Sequence, residues 1–406
     1  MYEKSAASSN ALEQGEASNP TKSSGSASKP MTLALIRQRY TAFGGAERFL
    51  ARAVGALQKQ GVGITLVARS WQREESGMAR LLCSPPYLGR FWRDWGFARC
   101  VCHKLTASRF DLVQSHIHIP CCDLYRAGDG VHREWLIQRA RARGWSSRLG
   151  SALSPYHHYV LAAEKGLYAS PQLKAVICNS RMVQEEIHHH YGFPRERMHV
   201  IYSGVDLDRF HPDLSLKHRE AMRQKWGVPL DAVVFLFVGS GFERKGVPIL
   251  LEALKKLPES VYLVVVGKDK STRRLKGKMA GSPLDGRVIL AGPQEETPPF
   301  YGMADAFVLP TLYDPFPNVA LEAMAAGLPM ISSLKCGAVD LIHHGDNGLL
   351  GDALDLEKLV ENMGYLMAGE NRRRMGGAAR ETVASLSLTQ MSEKLITLYQ
   401  SLLAGH

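Results

Sequence analysis

Two carboxylates flank the start of a predicted helix late in the chain, a spacing suited to group-transfer chemistry. Asp314 lies in the loop after a buried apolar strand, and Glu322 lies eight positions later inside the helix predicted over Asn318–Ala326. Proline suits a first helical turn because the N–H that it lacks would have no partner there, so Pro317 marks the start of this helix and Gly327 its end. The two acids therefore bracket a helix N-terminus at the carboxyl end of a strand.

The first turn of that helix is a predicted anion site. Backbone N–H groups at a helix N-terminus lack intrahelical partners and carry the positive end of the helix dipole, so they bind phosphate groups. The N–H groups expected to point outward are those of Asn318, Val319 and Ala320. The alternative is a capped surface helix whose two acidic residues are incidental.

A glycine-rich loop with two adjacent cations is the second element. The strand Phe235–Val238 runs directly into the segment Gly239–Gly246. Gly241 allows a tight backbone turn, and Arg244 and Lys245 could clamp the phosphates of a leaving group. The loop matches neither GxxxxGK[ST] nor GxGxxG, because the third glycine is absent. Its alternative is a solvated turn.

A third element follows the first predicted strand, where Gly44 and Gly45 open a predicted helix. Glycine at such a position lets a ligand approach the backbone and the helix N-terminus closely. The alternative is an ordinary turn between a strand and a helix.

The chain of 406 residues is basic, with 50 Lys and Arg against 39 Asp and Glu and a formal net charge of +11. This length suggests two or three domains. The charge favours an anionic partner, whether nucleic acid, an anionic membrane or a phosphorylated substrate. The basic residues form no nucleic-acid-binding motif, and no aromatic stacking pattern accompanies them. We therefore predict no nucleic-acid partner.

Residues 1–30 are predicted to form a disordered tail, because eight of them are Ser and only Leu12 is a large aliphatic residue. They also lack the apolar centre of a signal peptide. The longest apolar runs, Ala232–Val238 and Val261–Val266, are far shorter than the roughly 18 residues that span a bilayer. The seven cysteines are odd in number and contain no CxxC pair, so we predict no disulfide framework and a reducing cytoplasm.

Short apolar strands alternate with helix-period segments, which predicts an α/β fold with parallel sheets covered by helices. The predicted domains are 31–208 and 209–385, each Rossmann-like and doubly wound, followed by a C-terminal helix within 386–406 that packs back towards the first domain. Doubly wound sheets bind ligands beyond the carboxyl ends of their strands. Two such domains facing each other enclose a cleft that can hold one substrate on each side.

In this order and spacing, the three elements resemble the family-4 retaining glycosyltransferases of the GT-B fold over residues 31–404. The supporting segments are Cys178–Ser180, His199–Asp206, Phe210–Pro212 and Tyr313–Pro329. The resemblance implies transfer of a sugar from a nucleotide sugar with retention of anomeric configuration. Two positions depart from the family pattern: Asp314 stands where Glu is commoner, and Ser240 stands where an Arg is usual.

The resemblance also implies roles for these residues. Lys245 matches the family lysine, and Arg244 supplies a second cation to the leaving diphosphate. Glu322 would hydrogen-bond the ribose, and Asp314 would contact the hydroxyls of the donor sugar. The glycines expected against the nucleotide sugar are Gly44, Gly45 and Gly241. The nucleotide sugar, expected to be UDP-linked, is a substrate, so no cofactor is expected, and no metal is required because the cations and the helix dipole take its place.

Within the family, the segments Asp111–Pro120 and Asp123–Gly130 look like the branch that glucosylates the lipopolysaccharide inner core. We therefore expect a hexose, glucose from UDP-glucose, to be moved to a membrane-associated saccharide. The family often places a histidine near the reacting sugar after this strand. His116 and His118 both qualify, with His118 slightly favoured, and Asp129 is a candidate acid on the acceptor side. The alternative for each is a residue whose hydrogen bonds are satisfied within the fold.

No metal site is predicted. Residues Asp206-Leu207-Asp208 spell the DxD pattern, but they fall in the connector between the domains rather than at a strand end. The cysteines and histidines between Cys100 and Cys122 lack the spacing of a structural zinc site.

Arginines and tryptophans gather in one stretch of the first domain, the arginine segment: Arg133, Trp135, Arg139, Arg141, Arg143, Trp145 and Arg148. Trp seats at membrane interfaces and Arg meets lipid phosphates, so we predict that this segment docks on an anionic membrane. The protein would then be cytoplasmic and peripheral on the inner face of the cytoplasmic membrane. The alternative is a solvated helix with buried Trp.

Three other functions stay open. One is a retaining transferase that acts on another lipid or capsule precursor. Another is a GT-B-fold sugar-nucleotide epimerase, which would release free nucleotide sugar without an acceptor. The third is a non-catalytic surface-binding protein, which the intact Asp314 and Glu322 pair and the basic loop disfavour.

Overall fold

Two parallel β-sheets organise the chain, because short apolar strands alternate with helices that return the backbone to the same sheet edge. The computed structural model describes residues 31–40, 54–55, 58, 61–71, 79–107 and 110–404, with the backbone alone at 39–40, 71, 107 and 145–148. Within these described ranges, one sheet has seven strands and the other has six, and neighbouring strands pair in parallel. The predicted α/β class with two doubly wound halves is confirmed.

The first half has the strand order β3-β2-β1-β4-β5-β6-β7. Its strands are β1 (Thr32–Tyr40), β2 (Gly63–Trp71), β3 (Ala79–Leu82), β4 (Leu112–Ser115), β5 (Leu124–Ala127), β6 (Ala175–Cys178) and β7 (Met198–Val200). Its helices within the described ranges are α1 (Gly89–Ala107), α2 (His132–Arg143), α3 (Trp145–Ala152), α4 (Pro155–Tyr168) and α5 (Arg181–Tyr191), with a 3-10 turn at Arg195–Arg197. Strands β5 and β6 are buried at every position, as expected for a parallel sheet covered on both faces.

The second half has the order β10-β9-β8-β11-β12-β13. Its strands are β8 (Val233–Val238), β9 (Val261–Val266), β10 (Val288–Gly292), β11 (Ala306–Leu309), β12 (Met330–Ser333) and β13 (Gly348–Gly351). Its helices are α6 (Asp213–Trp226), α7 (Val247–Lys255), α8 (Thr272–Met279), α9 (Pro298–Met303), α10 (Asn318–Ala325), α11 (Leu356–Tyr365) and α12 (Gly369–Val383), with a 3-10 turn at Gly337–Asp340. In both sheets the order reverses next to the first strand of the half, which is the doubly wound arrangement.

The last helix, α13 (Leu388–Ala404), packs on the first sheet although it follows the second half in sequence. Leu395 and Tyr399 share one hydrophobic cluster with Leu33 and Leu35 of β1. The Tyr399 hydroxyl donates a hydrogen bond to Gln114 Oε1 at 2.6 Å. The chain thus returns from the second half to the first, and its last helix completes the core of the first half. Among the described residues, none of the helices combines the length and hydropathy that crossing a bilayer requires.

One disulfide contradicts the cysteine prediction. Cys102 of α1 and Cys121, in the loop after β4, are bonded, with their Cα atoms 5.7 Å apart. They lie 19 residues apart in sequence, so no local spacing pattern reveals them, and only the packing of α1 beside that loop brings them within bonding range.

Candidate functional site

Two loops of the second half lie at one sheet edge, because β8 and β11 are hydrogen-bonded neighbours although they are not consecutive in the chain. This is the switch point of a doubly wound sheet, where ligands bind beyond the carboxyl ends of the strands. The loop Gly239–Gly246 follows β8, and residues 310–317 follow β11. The fold therefore brings together the glycine-rich loop and the loop of the first acid.

Asp314 lies at the centre of a charge cluster formed by these two loops. Its Oδ2 is 3.1 Å from Lys245 Nζ and 3.5 Å from Arg244 Nη1. Arg244 Nη1 also donates a hydrogen bond to the carbonyl oxygen of Tyr313 at 2.6 Å. The Asp314 side chain is buried, and the two cations offset a carboxylate charge that would be costly to bury alone.

Asp269, in the loop after β9, supports the glycine-rich loop. Gly241 adopts φ +76°, a conformation that other residues rarely take. Next to it, Phe242 N donates a hydrogen bond to Asp269 Oδ2 at 2.9 Å. Burial raises the pKa of Asp269, but hydrogen bonds from Ser271, Phe242 and Gly241 outweigh it and leave this pKa below its usual value. Sequence analysis missed Asp269, because only the neighbouring position of β9 in the sheet places it here.

Helix α10 begins at Asn318, directly after Pro317, so the proline precedes the helix instead of occupying its first turn. The N–H of Ala320 donates a hydrogen bond to the carbonyl oxygen of Pro317 at 3.0 Å. The prediction of an outward N–H at Ala320 is therefore wrong, because a tight turn at the helix start uses that donor. Asn318 and Val319, both half-buried, form the first turn at this sheet edge.

Glu322 is held by a tyrosine from a neighbouring helix. The hydroxyl of Tyr301 in α9 donates a hydrogen bond to Glu322 Oε2 at 2.8 Å. Tyr301 is buried, so the carboxylate is oriented from the protein interior. No motif indicated Tyr301, which lies 21 residues before its partner.

The hydroxyl of Tyr313 joins the two halves. It accepts a hydrogen bond from Val131 N at 2.8 Å and donates one to Glu186 Oε2 at 2.7 Å. Val131 precedes α2 and Glu186 lies on α5, so both partners belong to the first half. Tyr313 is buried and directly precedes Asp314, which ties the loop of Asp314 to the first half.

Lys335 adds a charged contact beside this hydroxyl. Its Nζ lies 2.8 Å from Glu134 Oε1 and 3.0 Å from Glu186 Oε1. Burial raises the pKa of Glu186, although the charge of Lys335 opposes the shift. Burial also raises the pKa of Glu134, but hydrogen bonds from Lys335 and Gln138 outweigh it and leave that pKa lowered. Lys335 of the second half thus forms ion pairs with two acids of the first half.

Two glycines lie where the halves meet, and neither has room for a side chain. A Cβ at Gly130 would lie 2.3 Å from the Tyr313 hydroxyl of the second half, and a Cβ at Gly337 would lie 2.8 Å from Ser180 Oγ of the first half and 1.7 Å from the carbonyl oxygen of Pro315 in its own half. Ser180 Oγ donates a hydrogen bond to that same Pro315 oxygen at 2.9 Å. Asp129 is exposed in the turn just before Gly130, which places the candidate acceptor-side acid next to this contact.

His116 and His118, which sequence analysis left as alternatives, have different neighbours. His116 Nε2 lies 3.1 Å from Gln114 Nε2, and Gln114 in turn accepts the hydroxyl of Tyr399 in α13. Burial lowers the pKa of His116 well below its usual value, with the charge of Arg37 adding to the shift. His116 therefore belongs to the packing between the first sheet and the last helix.

His118 belongs to a buried polar group that extends towards the contact between the halves. Its Nε2 lies 2.8 Å from the Tyr125 hydroxyl and 3.6 Å from Glu164 Oε1. Glu164 Oε1 also accepts the N–H of His132, the residue after Val131. Burial, with the charge of His132 adding to it, lowers the pKa of His118 to about 4. The imidazole is therefore neutral near pH 7.

The arginine segment forms α2 and α3, and two of its cations contact the second half. Arg141 Nη2 lies 2.8 Å from Asp352 Oδ2, and Arg143 forms an ion pair with Glu243 of the glycine-rich loop. These two side chains therefore contact the other half, and docking of the segment on a membrane stays a prediction.

The other residues of that segment are placed differently. Arg133 is exposed and Trp135 is half-buried. Arg139 Nη1 lies 3.4 Å from His157 Nε2. The side chains of Trp145 and Arg148 lie outside the described residues, as do Gly44 and Gly45.

The residues that the structure describes contain no group of three or more His, Cys, Asp or Glu arranged to hold a metal ion. Asp206 Oδ1, from the DxD pattern, accepts a hydrogen bond from Arg209 N at 3.0 Å. This aspartate therefore shapes the connector turn.

Two family profiles match the chain. Residues 43–209 match Glycosyltransferase Family 4, and residues 218–382 match Glycosyl transferases group 1. The first range contains the first sheet from β2 onward, the second contains the whole second sheet, and together they cover most of the chain. The chain belongs to glycosyltransferase family 4.

Curated relatives of this family 4 glycosyltransferase act in several contexts. This chain is 28% identical over 372 residues to the lipopolysaccharide core biosynthesis glycosyltransferase LpsE of Rhizobium meliloti, and the match covers 89% of this chain and 96% of LpsE. A D-inositol 3-phosphate glycosyltransferase of Xylanimonas cellulosilytica is 30% identical over 234 residues, covering 55% of this chain and only 56% of that protein. The match to LpsE thus extends over nearly the full length of both chains.

The lipopolysaccharide glucosyltransferase WaaG of Escherichia coli is 26% identical over 337 residues, covering 82% of this chain and 88% of WaaG. A crystal structure of WaaG superposes with a TM-score of 0.79 at 24% identity, covering 90% of this chain and 99% of that one. The GT-B fold is thereby confirmed, and the enzyme is related to lipopolysaccharide core glucosyltransferases.

Replacing Tyr313 with phenylalanine should weaken the contact between the halves. The Tyr313→Phe change leaves the Val131 N–H and the buried Glu186 carboxylate without this partner, and an unsatisfied buried polar group costs about 1–3 kcal/mol. We expect a lower midpoint of thermal unfolding, measured by differential scanning calorimetry. Tyr87→Phe, at an exposed tyrosine, serves as the control and should leave the midpoint nearly unchanged. Equal midpoints for wild type and Tyr313→Phe would contradict the role of this hydroxyl.

Acidification should destabilise the protein in part through His118. The unfolded chain binds a proton near the usual pKa of 6.5, whereas the folded chain binds it only near 4, so stability is lost as pH falls through this window. The expected loss from this one group between pH 7 and pH 5 is about 2 kcal/mol. His118→Gln should therefore lose less thermal stability than wild type over the same pH change, while His343→Gln, at an exposed histidine, should not differ. Parallel pH curves for wild type and His118→Gln would refute this account.

Proposed function

We propose that the enzyme transfers glucose from UDP-glucose to a membrane-associated saccharide, the lipopolysaccharide inner core, with retention of anomeric configuration. The proposal is carried by the contact of Asp314 with both Arg244 and Lys245 at the switch point of the second half. The relatives named for lipopolysaccharide core biosynthesis and lipopolysaccharide glucosylation support the choice of sugar and acceptor. Retention and the uridine nucleotide rest on the resemblance to the family.

The leaving diphosphate is stabilised by the cations of the glycine-rich loop. Arg244 and Lys245 act on the negative charge that grows as the sugar departs, and the start of α10 at Asn318 and Val319 adds the positive end of a helix dipole. Both cations already lie beside Asp314, so they are positioned before the donor binds. Little reorganisation is then needed when charge develops.

Two carboxylates bind the rest of the donor. Asp314 contacts hydroxyls of the sugar, and Glu322 accepts a hydrogen bond from the ribose. The Tyr301 hydroxyl, 2.8 Å from Glu322 Oε2, keeps the second carboxylate in place for this contact. The absence of a Cβ at Gly241 lets the nucleotide approach the loop.

In the transfer step, the acceptor hydroxyl oxygen bonds to the anomeric carbon on the face from which the diphosphate leaves. The bond between that carbon and the diphosphate oxygen breaks through an oxocarbenium-like state, and the hydroxyl proton passes to the leaving diphosphate. The neutral imidazole of His118 hydrogen-bonds the reacting sugar from the first half, and Asp129 contacts the acceptor. Because cationic side chains and a helix dipole stabilise the leaving group, the reaction needs no metal.

The acceptor is held in a lipid bilayer, so the first half works at the inner face of the cytoplasmic membrane, to which the protein binds peripherally. Within the arginine segment, Arg133, Trp135 and Arg139 are the side chains available for lipid in the described part of the chain. Arg141 and Arg143 reach lipid only if they leave Asp352 and Glu243.

A panel of nucleotide sugars tests the proposal, each assayed with and without a lipopolysaccharide core acceptor that lacks the terminal hexose. Support requires consumption of UDP-glucose that depends on the acceptor, with an α-linked glucose added to it. Release of an isomerised nucleotide sugar without acceptor would instead identify an epimerase. Transfer only to a capsule precursor would refute the assigned acceptor.

Replacing Lys245 with alanine should reduce turnover at least ~100-fold, the scale on which losing one preorganised charge-stabilising group acts. The reduction should appear in kcat, because the lysine acts most strongly on charge that develops during the transfer. Lys217→Ala, at an exposed lysine of α6, is the matched control and should retain normal turnover. A folded Lys245→Ala enzyme with near-normal kcat would remove Lys245 from the diphosphate site.

Excess chelator should leave the initial rate unchanged, because Arg244, Lys245 and the start of α10 perform the charge stabilisation that a divalent cation performs in other transferases. The measurement is the rate of UDP release after dialysis against EDTA, with and without added Mg²⁺ or Mn²⁺. A loss of activity that added metal restores would show that this account of the donor site is incorrect.

A further inference from the structure

Helix α1 turns two aromatic residues away from the core. Phe97 and Val101 of this helix are fully buried in the core of the first half. Trp92, Trp95, Arg99 and His103 lie three or four positions apart and are all exposed, which places them along one outward face of the helix. Packing within the described part of the chain does not explain why tryptophans lie on this exposed face.

The exposed apolar area is large and continuous. Leu88, just before α1, is 84% exposed, Trp92 is 51% exposed and Trp95 is 41% exposed, and neighbouring Tyr87 is 48% exposed. These side chains line one groove of about 760 Å³ at the side of the first half. Contiguous exposed apolar surface of this kind marks an interaction site. We call Tyr87, Leu88, Trp92 and Trp95 the aromatic face.

The surroundings of the aromatic face are positively charged. Residues 79–107 contain five Lys or Arg and one acid, Asp94, which gives a net charge of +4. Asp94 itself is paired with Arg93, at 2.6 Å between Oδ1 and Nε. Arg90 is exposed at the start of α1, and the guanidinium of Arg99 lies 5.7 Å from the centre of the Trp95 ring. Cations thus flank apolar and aromatic side chains on one surface.

The combination of cations with aromatic and apolar side chains favours a lipid surface over a second copy of the chain as the partner. Tryptophan and tyrosine seat at the level of lipid headgroups, an exposed leucine reaches the acyl boundary, and arginine meets lipid phosphates. A symmetric dimer through the same face would bring two net positive surfaces together, which opposes association.

We propose that the aromatic face, with Arg90 and Arg99, is the surface that seats the first half on an anionic bilayer. Leu88 and the two tryptophans enter the headgroup region, and the arginines contact lipid phosphates. The arginine segment is a weaker candidate, because Arg141 and Arg143 are engaged by Asp352 and Glu243. The inference rests on the proposed function in one respect, namely that the acceptor is membrane-associated. Its test measures lipid binding without donor or acceptor, so either proposal can fail without the other.

The test is co-sedimentation of the full chain with vesicles. Wild type should bind vesicles of equal parts phosphatidylethanolamine and phosphatidylglycerol, and bind phosphatidylcholine vesicles much less. Leu88→Ser/Trp92→Ser/Trp95→Ser should bind the anionic vesicles at least ~10-fold more weakly, because the apolar area that enters the interface is lost. Leu216→Ser/Leu230→Ser removes leucines of the second half that are 89% and 58% exposed and should bind like wild type.

A second measurement covers the case in which the triple variant folds poorly. Vesicles with bromine-labelled acyl chains should quench the tryptophan fluorescence of wild type. The quenching should largely disappear in Trp92→Phe/Trp95→Phe, which keeps an aromatic ring at both positions. Arg90→Ser/Arg99→Ser should reduce the preference for anionic over neutral vesicles.

Four results would overturn the proposal. Wild type that does not bind anionic vesicles is one, and equal binding by the triple variant is another. Loss of binding in Arg139→Ser/Arg141→Ser/Arg143→Ser with full binding by the triple variant would assign docking to the arginine segment. A concentration-dependent dimer of wild type, seen by sedimentation velocity and lost in the triple variant, would make the aromatic face a contact between copies.

Discussion

The hydroxyl of Tyr313 is the contact on which the relative placement of the two halves depends. It accepts the N–H of Val131 and donates to Glu186, and both bonds lie where solvent has almost no access. A buried polar group that loses its partner carries a large penalty, so the halves part at this point only if water replaces both bonds. Because Asp314 follows Tyr313 directly, this hydroxyl also fixes the loop that carries Asp314. Glycines 130 and 337 make the contact possible, since a Cβ at either position would overlap atoms of the opposite half.

Charge pairing reinforces this arrangement around the contact. Lys335 of the second half meets Glu134 and Glu186 of the first, and Arg141 and Arg143 of the first half meet Asp352 and Glu243 of the second. In the first set both acids are buried and Lys335 is half-buried, so salt screens it less than the second set, which is half-exposed and contributes little on its own. The half-buried Lys335 therefore holds the halves together near Tyr313. The two outer pairs can exchange with solvent, and Glu243 places one of them on the loop that also carries Arg244 and Lys245.

Several parts of the fold escaped sequence analysis for physical reasons that the structure makes visible. Strand β5 includes Arg126, which is buried, so the segment lacks the continuous apolar run that announces a buried strand. Helix α2 buries Glu134 and Gln138, so its core-facing positions are polar and produce no apolar periodicity. Strand β13 begins and ends with glycine, and its four residues are too few for a pattern to emerge. In each case a residue type that usually lies at the surface or in a turn lies within a strand or on the buried face of a helix.

The amino-acid sequence by itself determined the class of fold, the apolar run Val261–Val266 that forms β9, and the loops that carry Asp314, Arg244 and Lys245. These follow from local rules. A short apolar run bounded by turn residues indicates a buried strand, and the loop after such a strand lies at the carboxyl end of a parallel sheet, where ligands bind. The tertiary structure alone decided that Asp269 supports the glycine-rich loop, that Tyr301 orients Glu322, that Cys102 bonds Cys121, and that the tryptophans of α1 face outward. Those outcomes depend on which elements pack side by side after the whole chain has folded. Partners that are distant in sequence have no repeat or spacing that could reveal them beforehand.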